Sequence, residues 1–234
     1  MSKLYLVCAA ALVFLFSSSM ASDENKTLRT MMVEQQIKAR GITDEATLKA
    51  MAAVERHRFV DGAMSERAYE DRPLPIGHGQ TISQPFIVAY MTEIVQPKPE
   101  HRVLEIGAGS GYQAAVLAEI VEKVYTIEIV EPLAKSAGAL LQELGYDNVE
   151  VRHGDGYYGW PDAGPFDSIV VTAAASYIPP PLIEQLKEGG RMIIPVGSPL
   201  RTQQLMLVEK KEGGEVQTRS LMPVRFVPFT RTDD

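Results

Sequence analysis

Hydrophobic and polar positions along the chain follow three successive patterns. From Leu4 to Phe16 the apolar residues form one nearly unbroken run. From Leu28 onward they recur at helical spacing. In "LRTMMVEQQIKARGI", Leu28, Met32 and Gln36 share one face, Met31 and Gln35 lie beside it, and Gly41 stops the helix. "TDEATLKAMAAV" predicts a second helix, with Thr43 as N-cap and acidic residues in the first turn, where the helix dipole favours them. A polar stretch from Glu55 to Asp71 follows. "FIVAYMTEIV", Phe86 to Val95, is apolar enough for a buried helix, and Pro85 suits its start. Between these lies "PLPIGHGQTISQP", Pro73 to Pro85, whose few apolar residues obey neither period. It predicts a polar loop stiffened by prolines at its ends.

From Arg102 the pattern alternates. "RVLEI" reads as a strand, "GAGSG" as a tight turn and "YQAAVLAEIV" as a helix. "KVYTIEI" is the next strand, and "EPLAKSAGALLQELG" a helix closed by Gly145. "VEVRHGD" and "FDSIVVTAA" are strands, "PPLIEQLKEGG" a short helix ending in a glycine pair, and "RMIIPVG" and "QQLMLVEKK" strands. Strands and helices joined by short loops predict an α/β fold with a parallel sheet covered on both faces. The tail "GEVQTRSLMPVRFVPF" reads as strand and extended chain. The expected division is 1–21 as a leader and 22–234 as one domain. Within it, 22–101 form a helical N-terminal part and 102–234 the α/β core and tail.

The leader reading rests on Lys3, the apolar run, and small residues up to Ala21, the arrangement of a secretory signal peptide. The run is too short for a membrane span. It implies a periplasmic or secreted protein; without it, a cytoplasmic one. The single cysteine, Cys8, lies inside the run, so a mature chain from Ser22 has no disulfide, thiol nucleophile or cysteine metal site. The 234 residues carry a net charge of −7, which excludes the basic footprint of a nucleic-acid binder and affinity for an anionic membrane surface. His57, His101 and His153 show no metal-ligand spacing, so no metal is expected. His78, between two glycines, reads as a loop residue rather than a base.

The strongest chemical signal is "VLEIGAGSGY". Gly107, Gly109 and Gly111 separate a strand from a helix, where a backbone free of Cβ atoms can approach a ligand and the helix N-terminus offers N–H groups. The spacing is G-x-G-x-G rather than the G-x-G-x-x-G of dinucleotide enzymes, which leaves a nicotinamide enzyme open. Glu105 precedes the loop on its strand. Glu128 ends the next strand, where a carboxylate can accept from two ribose hydroxyls, or simply meet solvent. Asp155, followed by Gly156, comes after the third strand in "HGDGYYGW"; alone it could be a turn residue.

Together these residues resemble the Rossmann-like methyltransferases that use S-adenosylmethionine. That resemblance implies a mostly parallel twisted sheet with helices on both faces, an N-terminal helical addition and C-terminal antiparallel strands. It assigns Glu105, Gly107, Gly109, Gly111, Glu128, Asp155 and Gly156 to the cofactor. "GHGQTISQPFIVAYM", with "VLEIGAGSGYQAAVLA", "GDGYYGW", "PFDSIVVTAAA", "LKEGGRMIIPVG" and "VRFVPF", further resembles the protein-L-isoaspartate O-methyltransferase family, from about Leu28 to Phe229. The Gln-Thr-Ile-Ser-Gln-Pro block is the specific part. The family is usually cytoplasmic, so the leader departs from it.

The resemblance implies methyl transfer to isoaspartyl residues of damaged proteins and peptides; separately, a monomer is expected. It makes Ser83 the active-site residue and places Thr81 and Gln84 beside it at the substrate. Ser83 could also merely cap the following helix. A carboxylate acceptor is already anionic at neutral pH, so the lack of a His–Asp or cysteine nucleophile motif fits. The acceptor groove is expected between the Pro73–Pro85 loop and the tail. A methyltransferase for another acceptor, a dehydrogenase and a non-catalytic binding module are the rival readings.

Overall fold

The computed structural model describes residues 23–198 and 201–232; the expected leader lies outside the described residues. The chain enters as a helix over 23–31 (α1), which continues through a π-helical turn at Met32–Ile37 and a tight turn at Lys38–Arg40. Gly41 ends it in the left-handed region, as its sequence position predicts. Helix α2, Glu45–Ala53, is capped by Asp44 rather than Thr43: the Asp44 carboxylate accepts from Thr47 N at 2.7 Å. The Thr43 and Asp44 amides instead both donate to Glu93 Oε1, one residue position removing Thr43 from the cap geometry.

The Pro73–Pro85 segment is a miniature hairpin. Strands β1, Leu74–Pro75, and β2, Thr81–Ile82, pair antiparallel around a tip in which Gly77, His78 and Gly79 all have positive φ. Leu74, Ile76 and Ile82 are buried, so the segment that lacks an obvious period is still anchored by three apolar side chains. Helix α3, Pro85–Val95, follows at once, with Pro85 in its first turn.

Seven strands form the main sheet in the order β5-β4-β3-β6-β7-β8-β9. They are β3 Arg102–Ile106, β4 Lys123–Glu128, β5 Val149–His153, β6 Phe166–Val171, β7 Leu186–Val196, β8 Gln203–Lys210 and β9 Val216–Val224. The first five in that order are parallel, and β8 and β9 close the far edge antiparallel. Helices α4, Tyr112–Ala118, and α5, Glu131–Glu143, join the N-terminal elements in one core on one face. Trp160, Phe166 and Leu182 of α6, Pro180–Glu184, build a second core on the other. This is the Rossmann-like arrangement expected.

One helix is shorter than its sequence suggests. "LKEGG" belongs to β7, not to the end of α6. The chain bulges at Lys187–Gly190, because Phe166 pairs with Leu186 while Ser168 pairs with Arg191. A Cβ at Gly190 would fall 2.9 Å from Asp167 O, so the bulge needs glycine there. From β3 the chain runs to β4 on one side, while β6 lies on the other. That reversal opens a crevice at the strands' C-terminal ends, where open α/β sheets bind ligands.

The capping geometry gives a direct check. Asp44→Ala is expected to lose about 1 kcal/mol of stability and Thr43→Ala far less. Urea denaturation of both variants measures this; equal losses would contradict the assignment.

Candidate active site

The crevice holds an open cleft of about 750 Å³. Its floor is the turn between β3 and α4. Gly107 is there with φ +96, and a Cβ on it would lie 2.4 Å from Thr172 Oγ1. Both backbone angle and space therefore require glycine. Thr172 follows β6. Its amide donates to Ile106 O at 2.9 Å and its hydroxyl lies 2.7 Å from Gly107 O, fastening the turn across the crevice.

Glu128 secures the other side. Its Oε2 accepts from Gly109 N at 2.8 Å and its Oε1 from Val130 N at 2.9 Å. Each oxygen keeps a second lone pair, and the side chain lines the cleft. The sequence places Glu128 at a strand end; the structure adds that it holds the glycine turn. Gly109 and Gly156 also line the cleft, and a Cβ on Gly156 would lie 2.3 Å from Ile106 Cγ2. Gln113 contributes a buried Oε1 with no partner, while its amide nitrogen donates to Thr92 Oγ1. Apolar walls come from Ile127, Ile129 and Phe229. A cradle of glycine backbone, a carboxylate, an orphaned acceptor and apolar walls fits a ligand with hydroxyls, an amine donor and a flat apolar part.

Three sequence candidates stand outside this lining. Gly111, φ +89, is buried against Leu141 of α5, and starts α4. Asp155 turns toward the C-terminal tail, accepting from Arg231 Nε at 2.9 Å. Glu105 is buried within the sheet and hydrogen-bonded to Thr126.

A second cleft, about 930 Å³, lies on the far side of the β2–α3 junction. The Pro73–Pro85 hairpin and the segment Met222–Val227 border it, as expected for the acceptor groove. Thr81, Ser83, Thr172 and Val227 line both clefts and so form their junction. The hydroxyls of Thr81 and Ser83 make no hydrogen bond among the described residues, whereas the Thr172 hydroxyl is engaged by the glycine turn. Gln84 lines the second cleft, with its Nε2 donating to Asp71 Oδ2 at 2.7 Å. Asp71 also accepts from Phe86 N at 3.1 Å and Arg40 at 2.6 Å, so it anchors the residues flanking Ser83. Sequence patterns assign no role to Asp71, or to Gln113 and Thr172 inside "VLEIGAGSGYQAAVLA" and "PFDSIVVTAAA". His78 lies exposed at the hairpin tip and lines neither cleft.

A family model for protein-L-isoaspartate(D-aspartate) O-methyltransferase matches residues 26–234. A protein-L-isoaspartate O-methyltransferase 1 from Nitrosospira multiformis is 60% identical over 212 residues, covering 90% of each chain. A protein-L-isoaspartate O-methyltransferase from Opitutus terrae is 63% identical over 203 residues, 87% of each. Among solved structures, one named protein-L-isoaspartate O-methyltransferase has a TM-score of 0.78 at 31% identity, covering 87% of this chain and 65% of that one. Another, from Plasmodium falciparum, is described as the same methyltransferase in complex with S-adenosyl-L-homocysteine. Its TM-score is 0.74 at 28% identity, covering 89% of this chain and 99% of that one.

Glu105 carries a testable consequence. Burial pushes its carboxyl up to about 8, the Thr126 hydrogen bond opposes this, and the Glu128 charge adds to it. An acid raised in the folded state keeps its proton while the unfolded chain loses its own. Its contribution to stability therefore falls as pH rises from the ordinary 4.5 to about 8, then levels. Glu105→Gln is expected to gain stability over the parent across that window, by on the order of a few kcal/mol at its upper end. Parallel stability–pH curves for the two proteins would contradict it.

Proposed function

The chain belongs to the protein-L-isoaspartate(D-aspartate) O-methyltransferase family, and we propose that Ser83 holds the acceptor carboxylate at the junction of its two clefts. The enzyme transfers a methyl group from S-adenosylmethionine to the free carboxylate of L-isoaspartyl residues in damaged proteins and peptides. The resulting methyl ester cyclises to a succinimide, the repair step. The observation that carries the Ser83 assignment is its unengaged hydroxyl at the wall shared by both clefts.

Bound, S-adenosylmethionine supplies an electrophilic methyl on a sulfonium. Gly107, Gly109, Gly156 and Glu128 would hold it, with the orphaned Gln113 Oε1 facing an amine donor. Gly111, packed on Leu141, supports the turn from behind, and Glu105, bonded to Thr126 of β4, lies behind the cleft rather than in its lining. Asp155 belongs to the adenine end through the wall it shares with the tail.

The acceptor side follows from the chemistry of a carboxylate. It needs no base, only orientation and loss of its water shell. Ser83 donates to one carboxylate oxygen and leaves the other to face the methyl. Thr81 is the second free donor. Gln84, tied to Asp71, fixes the turn that aims Ser83. Ile87, Val224 and Phe226 line the groove with apolar surface that displaces water. Both clefts are built within one chain, so a monomer suffices.

Residues 1–21 act as an export leader in this reading, and the match to the family begins after them, at residue 26. No helix among the described residues is long and apolar enough to cross a membrane. N-terminal sequencing of the native protein should then begin at Ser22; an intact Met1 contradicts export.

The test of Ser83 is kinetic. A hydrogen bond to a charged group contributes about 1.5–3 kcal/mol. Ser83→Ala should therefore lower kcat/KM for an isoaspartyl peptide roughly 10- to 100-fold while S-adenosylhomocysteine still binds. Unchanged kcat/KM would remove the assigned role.

A further inference from the structure

Two adjacent tyrosines in "GDGYYGW" play no part in the chemistry above. Tyr158 is 51% exposed, and nearby Tyr177 is 56% exposed, although large aromatic side chains are costly to leave in water. Their neighbourhood has one occupant. The guanidinium carbon of Arg231 lies 3.7 Å from the Tyr157 ring centroid and 5.3 Å from that of Tyr158. One guanidinium nitrogen donates to Tyr158 Oη at 3.3 Å. On its edge, Arg231 Nε donates to Asp155 Oδ2 at 2.9 Å, and the Thr232 amide and hydroxyl reach the same oxygen at 3.4 Å. The Asp155 side chain is 6% exposed.

Arg231 thus closes a span of tail that begins at Ala174. There the Ala174 amide donates to Val227 O at 2.8 Å, and Phe229 N donates back to Ala174 O at 2.9 Å. Pro228 and Phe229 within the first anchor, and Thr230 between the two, line the cofactor cleft. The first anchor is backbone pairing. The second is one side chain in an aromatic and carboxylate slot. Only a planar guanidinium can stack on a ring face and bond a carboxylate along its edge at once.

We propose that Arg231 is a positioning residue that latches the C-terminal wall of the cofactor cleft onto the loop after β5 and so slows cofactor release. The inference rests on the cofactor reading above. It gives Asp155 a partner in the chain itself, and it gives the Tyr157–Tyr158 pair a role as the slot that receives the latch. Burial pushes the Asp155 carboxyl up, but the bonds from Arg231, Tyr157 and Thr232 outweigh it and hold the group below its usual range. The pair is therefore ionised at neutral pH.

The test is release of labelled S-adenosylhomocysteine from the full chain at low and high salt, with hydrogen exchange of residues 227–232. In the parent, release should quicken only modestly with salt, since the ion pair that holds the wall is largely buried. Arg231→Ala should release roughly tenfold faster, lose that salt dependence and exchange its tail amides faster, with a lower thermal midpoint from the unpaired Asp155 but unchanged amide protection in β3 and β6. Arg231→Lys, which keeps charge without the planar stack, should fall between. Release from Arg231→Ala at the parent rate overturns the latch. Slower release does too, because Arg231 would then compete with the cofactor for Asp155. Faster release with lost amide protection throughout β3 and β6 overturns it in favour of a general structural role. Failure of the parent to bind S-adenosylhomocysteine would overturn the cofactor reading and the latch together; binding with unaltered release overturns only the latch.

Discussion

Everything in the site depends on how closely the backbone at Gly107 can approach Thr172. The two residues end neighbouring strands at the point where the order of the sheet reverses. No side chain separates them: the Thr172 hydroxyl lies 2.7 Å from Gly107 O, in space that a Cβ on Gly107 would contest. This contact draws the ends of β3 and β6 together. It sets the floor of the cofactor cleft and, because Thr172 faces both sides, the boundary with the acceptor groove.

Around that contact the two halves of the site are built differently. The cofactor side is mostly backbone, with Glu128 holding the glycine turn through two amides. Such a site is rigid before any ligand arrives, which lowers the entropy lost on binding. The acceptor side is made by a hairpin with three successive positive-φ residues, the start of α3, and the strand-like tail. Asp71 ties the hairpin to α3, so the free hydroxyls of Thr81 and Ser83 project from a fixed frame. An acceptor that is already charged requires only this: donors in place, and apolar surface to strip water.

Much of this was legible in the sequence where physics is local. "RVLEI" coincides with β3, and Pro85 opens α3, because a short apolar strand before a glycine turn and a proline at a helix start are local demands. The lack of a helical period likewise marks the tail as strand, whereas its antiparallel direction comes only from the family resemblance. Other features depend on partners distant in sequence. "LKEGG" reads as a helix end, yet pairing with β6 draws it into a bulged strand. Thr43 is as good a cap as Asp44 until Glu93 takes its amide. Thr172, Asp71 and Gln113 gain their roles only from residues brought beside them by the fold. Glu105 shows the reverse. Its place before the glycine turn suggests a ligand, but strand alternation points it, with Val103, to the sheet face that the helices cover. Asp155 is correctly sited after its strand, and nothing local indicates that Arg231, 76 residues later, takes one of its oxygens.

The central claim is that a junction of free hydroxyls beside a glycine-built cofactor cleft serves a misplaced carboxylate in a peptide. The most direct measurement compares two peptides of one sequence, one with an L-isoaspartyl residue and one with normal aspartate, using S-adenosylmethionine labelled in the methyl group. The account predicts base-labile label on the isoaspartyl peptide and essentially none on its twin. Equal labelling of the two, or labelling of neither, would contradict it.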